Sequence, residues 1–112
     1  MPVGTDGGDE LIELAVRALL DKPGQARLLV RDLVLGRPDL PALDLIYILA
    51  MAAGSLEGTF AGPDVERASQ DAWRMAGLIG TDLSMMRHLG LPHDTAADLL
   101  AYWKVHDRFF LD

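Results

Sequence analysis

The run LIYILAMAA, Leu45 to Ala53, is apolar at every position a helix could present. A helix with no polar side has to be surrounded by other elements, so whatever this chain folds into must wrap that segment. Nine residues fall well short of the roughly 20 that span a bilayer, which predicts a core helix and no membrane partner. The chain has 112 residues, enough for one domain that buries a core without disulfides or metal.

The remaining segments are marked off by proline, glycine and capping residues. Apolar residues at Leu11, Leu14, Ala15, Ala18 and Leu19 predict a helix over 9–22, ended by Pro23 and Gly24. In QARLLVRDLVLG the apolar residues Ala26, Leu29, Val30, Leu33 and Val34 again fall at helical spacing. LLVRDLVL could pass for a strand, but Gly36 and Pro38 stop it as they would a helix, and no other segment offers a pairing strand.

The third helix starts around Asp39 to Pro41 and continues through the apolar run to about Leu56. A fourth begins at Gly62, Pro63 and Asp64, with Val65, Ala68, Ala72, Trp73, Ala76 and Ile79 facing inward. Gly80 and Thr81 are read as a reset into a short fifth helix that closes at Gly90. Thr95, with Asp98 three residues on, opens the last helix as an acidic variant of the capping box. The expectation is an all-α compact bundle of five to six helices: residues 1–8 as a disordered lead, lacking the basic and apolar parts of a signal peptide, and residues 9–112 as one helical domain.

LGRPDLPALDLI (35–46) and LGLPHDTAADLL (89–100) agree at six of twelve positions at an offset of 54. The same offset lays the first helix over the fourth and the second over the fifth, which raises two tandem three-helix units. The contrary explanation is that Gly-x-Pro before a capped helix is ordinary junction grammar. Under duplication Asp44 and Asp98 are equivalent, each placing a negative charge near a helix N-terminus.

Ten basic residues against seventeen acidic ones leave a net charge of −7, which favours solubility and repels phosphate backbones. Cysteine is absent, so thiolate zinc sites, cysteine nucleophiles and disulfides are excluded together, in keeping with a cytoplasmic location. No nucleotide loop, Ser-His-Asp order or glycine-rich phosphate cradle occurs, and no cofactor is implied.

The segment HLGLPHDTAADLLAYWKVH, residues 88–106, concentrates the residues suited to chemistry. With Gly90 as the turn it has helix-turn-helix spacing, yet the helix that would read bases opens with carboxylates and offers no arginine or asparagine. No nucleic-acid partner is expected. His88, His93, Asp94 and His106 are the candidate ligand residues for a metal or small molecule, with Asp98 nearby. They lack HExxH or His-x-x-x-His spacing, so no catalytic or metal role is assigned. His88 suits a helix C-terminus, and His106 falls on the stripe of Leu99, Trp103 and Phe110 at the border of the core. Half the residues are hydrophobic and five are methionine, a surplus suited to burial between subunits. The function favoured by sequence is therefore a non-enzymatic interaction or regulatory module that forms a homo-oligomer, with a homodimer expected, or binds a protein partner. A His/Asp ligand-binding enzyme stands second and a DNA-binding domain third.

Overall fold

Proline and left-handed glycine set the helix boundaries at most junctions. The computed structural model describes residues 5–59 and 61–112. Among them run five helices and no strand: α1 (Thr5–Asp21), α2 (Ala26–Gly36), α3 (Ala42–Thr59), α4 (Pro63–His88) and α5 (Ala96–Val105). Helix α1 starts at Thr5, four residues before Asp9; the expectation for residues 1–4 lies outside the described residues. Pro23 removes a donor and Gly24 takes φ +80°, which turns the chain from α1 into α2. Helix α2 closes differently from the expectation: Gly36 is its last helical residue and has no positive φ, and the Arg37 N–H caps back to the Leu33 carbonyl.

The expected break at Gly80 and Thr81 does not occur. Helix α4 runs 26 residues through Gly77, Gly80 and Thr81, because its buried stripe of Ala72, Met75, Ala76, Ile79, Asp82, Leu83 and Met86 keeps helical spacing across them. A mid-helix glycine costs roughly 1 kcal/mol relative to alanine, less than that continuous burial supplies. The helix ends at Gly90, φ +75°, where the Gly90 N–H bonds Arg87 O and the Leu91 N–H bonds Met86 O, the paired arrangement of a Schellman close.

Helix α3 packs chiefly along α4, α1 contacts both, and α2 contacts α5, α4 and α1. Leu45, Leu49, Ala52, Ala53 and Leu56 of α3 are fully buried. The apolar run does not need neighbours on every side, however: Leu43, Tyr47 and Met51 are 71%, 53% and 43% exposed. At 18 residues and a mean hydropathy of 1.3, α3 also reaches the minimum length and apolarity of a membrane span, which the nine-residue run alone does not. Leu14 and Trp73, expected inside, are also about half exposed.

The two segments related by the offset of 54 meet in space. Pro41 and Thr95 form an antiparallel bridge. The Ala42 N–H donates to Asp94 O at 2.8 Å, and the Ala96 N–H donates to Leu40 O at 2.7 Å. Each bond is the other's counterpart at that offset. Ala42 and Ala96, Leu45 and Leu99, and Leu49 and Trp103 are buried at corresponding positions.

Candidate functional site

The C-terminal segment that gathers the histidines is built from helix ends. Thr95 Oγ1 accepts from the Asp98 N–H, and Asp98 Oδ2 accepts from the N–H groups of Asp94 and Thr95 at 2.9 and 3.2 Å. Asp98 thereby satisfies two donors that would otherwise be left open at the start of α5. The next donors are also taken, Ala96 by Leu40 O and Ala97 by Pro38 O. In a helix-turn-helix reader this first turn would enter the groove; here it is packed against the loop that precedes α3.

The four candidate residues are all exposed and lie in separate surroundings. His88 sits in the last turn of α4, beside Met85 and Ser84 along a shallow trough. His93 occupies the junction, with Nδ1 2.9 Å from Leu91 O. Asp94 uses its backbone on Ala42 and Asp98. His106 lies outside the core: it caps the end of α5 and stacks on Tyr102, ring centroids 4.9 Å apart. His106 and Asp98 do line one small cleft of about 170 Å³ with Pro92 and Tyr102, but neither His88 nor His93 borders it. Among the described residues no three His, Asp or Glu side chains converge as metal ligands would.

Two polar pairs escaped sequence reasoning. Asp82, 8% exposed, accepts a 2.9 Å hydrogen bond from Trp103 Nε1. Burial pushes its carboxyl above the usual aspartate range; the Trp103 bond opposes this and the nearby Asp107 charge adds to it. Burial likewise raises the Tyr102 phenol. At the far end of α3, Glu57 accepts from Ser69 Oγ at 2.6 Å and from Trp73 Nε1 at 3.1 Å. These two bonds hold its carboxyl below the usual range. Both pairs tie one helix to another across at least twelve residues of sequence, where no local spacing rule reports them. Trp73 is about half exposed with its ring nitrogen donating to Glu57.

A more extended feature is the outer face shared by α3 and α4. Leu43, Tyr47 and Met51 recur every fourth residue on α3, with Gly54 exposed between their azimuths. On α4 the residues Gly77, Gly80, Thr81, Ser84 and Met85 line an open trough of about 570 Å³. The helices adjoin there, since a Cβ placed on Gly80 would lie 3.9 Å from Ile46 Cδ1. Gly54 and Gly77 have open space where a side chain would stand, so intrachain packing gives no reason for glycine at either. The methionines divide accordingly: Met75 and Met86 are buried, whereas Met51 and Met85 are exposed. Comparison with protein-family models, with curated proteins and with solved structures gave no match to this chain.

Proposed function

We propose that the chain is a non-enzymatic helical module that self-associates, a second copy covering the α3–α4 face. The observation that carries this is the exposed row Leu43, Tyr47 and Met51 on the most apolar helix of the protein. The face is self-complementary. Large side chains on α3 stand beside a trough of small residues on α4, so a two-fold axis between them would seat Tyr47 of each copy in the Gly77–Ser84 trough of the other. Asp44 is the only charged residue between Ala42 and Gly54, so two chains of net charge −7 would meet without stacking their acids. Two adjoining helix faces, each about 25 Å long and about 10 Å wide, give a footprint of roughly 500 Å² per copy, at the lower edge for a specific pair. Weak, micromolar-range association follows.

Light scattering or sedimentation over a concentration series tests this reading. The native chain is expected to shift toward dimer mass by tens of micromolar, as an order of magnitude, and Tyr47→Glu is expected to hold it monomeric with its helix content intact. A monomer mass for the native chain across that range overturns the reading.

We also propose that the chain consists of two fused, related units, α1–α3 and α4–α5. The reciprocal bonds of Ala42 and Ala96 support it, as does the shared burial of the following helices. On this view the counterparts of α1 and α2 in the second unit are joined end to end as α4. Deleting residues 63–112 and finding a folded symmetric dimer of the first half would support the idea; an unfolded half at all concentrations would count against it.

A further inference from the structure

We propose that the groove between α1 and α2 is a binding site for a small amphipathic anion, of the alkyl carboxylate class. The cavity measures about 460 Å³, within the roughly 300–1,000 Å³ common for small-molecule sites. Leu11, Leu14, Ala18 and Leu28 form an apolar wall along it. Leu14 is half exposed there, an apolar side chain that the fold itself leaves uncovered.

The charged side chains that line the groove are net positive, Lys22, Arg31 and Arg37 against Asp32, in a protein that is net negative. From Lys22 to Arg37 the sequence holds four of the ten basic residues and one acid, Asp32. Three of those cations, Lys22, Arg31 and Arg37, line the groove. Lys22 forms no ion pair among the described residues. Arg31 and Arg37 pair only with Asp32 and Asp39, carboxylates that are 67% and 82% exposed. Such exposed pairs are weak and readily exchanged for a ligand anion. Gln25, also in the lining, precedes α2 without a side-chain cap bond; the Leu28 N–H returns to Gln25 O, and the N–H groups of Ala26 and Arg27 are left without a hydrogen-bond partner among the described residues. The geometry seats a carboxylate at Lys22 and Gln25, at the closed end of the helical hairpin. Its alkyl tail then runs along Leu28 and Leu14 toward Leu11. Apolar burial gives affinity and Lys22 selects the sign of the head group, with Arg31 and Arg37 keeping the rest of the groove positive.

The site uses helices other than those of the self-association face, so either reading can fail alone. Isothermal titration of the full chain with dodecanoate, kept below its aggregation concentration, provides the test. The expected result is saturable one-to-one binding, at least tenfold weaker for dodecyltrimethylammonium, which has the same tail and the opposite charge, and undetectable for acetate. Lys22→Glu, at an exposed position, is expected to weaken dodecanoate at least tenfold with helix content unchanged, and Leu14→Asp to remove binding. Amide NMR shifts are expected to fall on α1 and α2. Absent or non-saturable binding, equal affinity for the cationic amphiphile, indifference to Lys22→Glu, or shifts centred on α3 and α4 would each overturn the proposal.

Discussion

Residues 22–25 and 76–79 stand 54 positions apart, and the chain treats them in opposite ways. Lys-Pro-Gly-Gln turns a helical hairpin, whereas Ala-Gly-Leu-Ile passes through the middle of a single 26-residue helix. Both contain glycine. The first also has Pro23, which cannot donate and crowds the preceding turn, and its Gly24 adopts positive φ. The second has neither, and Thr81 Oγ1 bonds back to Gly77 O at 3.0 Å within an unbroken helix. Glycine alone lowers the cost of a break without imposing one. A proline followed by a left-handed glycine imposes it.

The strongest way to break this comparison is to make the second region resemble the first. Gly77 occupies the position of Pro23 at the offset of 54. Gly77→Pro is expected to destabilise the fold by about 3 kcal/mol or more, measured by denaturant unfolding, because it removes a helical bond in the interior of α4, between the buried residues Ala76 and Ile79. A loss below about 1 kcal/mol would mean that α4 tolerates a hinge there.

Asp82, two residues beyond Gly80, reports whether the unbroken helix delivers its residues to the core. Asp82→Leu leaves the Trp103 ring N–H without its acceptor and is expected to cost about 1–3 kcal/mol. Asp82→Asn keeps an acceptor and removes a buried charge, so at neutral pH it is expected to match or exceed the native melting temperature. The sign with pH follows from the raised carboxyl. The folded state holds this proton more tightly than the unfolded state, so the contribution of Asp82 falls as pH rises from about 3.9, the unfolded value, through the folded one. Asp82→Asn should lack that decline, which thermal melts of the two proteins between pH 4 and 7 would reveal.

The two helix starts that meet at the bridge sharpen the comparison further. Pro41 precedes α3 where Thr95 precedes α5, and the capping box belongs to Thr95. Thr95→Ala should lower stability by about 1 kcal/mol, seen as a smaller denaturant midpoint with an unchanged slope. The smallest effects come from the glycines themselves and differ in sign. Gly24→Ala meets a positive φ and should destabilise by about 1 kcal/mol. Gly77→Ala fills open space in a helix and should stabilise the monomer by about 0.5–1 kcal/mol. Melting curves at low protein concentration would separate the two.

By itself the sequence determined the helical class, the turn at Pro23–Gly24, the Gly90 close and the Thr95–Asp98 cap, because each depends on backbone sterics or on bonds between residues a few positions apart. It also placed Ala15, Leu19, Ala72, Ile79 and Leu99 in the core, since helical spacing sorts the faces of a helix locally. Tertiary structure decided that α4 runs straight through Gly77 and Gly80, because burial along its whole length outweighs a local weakness that spacing rules read as a stop. It decided the partners of Asp82 and Glu57, and the outward positions of Leu14, Trp73 and His106, which depend on side chains brought together from distant segments. The candidate site shows the same division: the histidines were visible as residue types, but their separation, the exposed row on α3 and the cationic groove between α1 and α2 arise only when the helices are packed against one another.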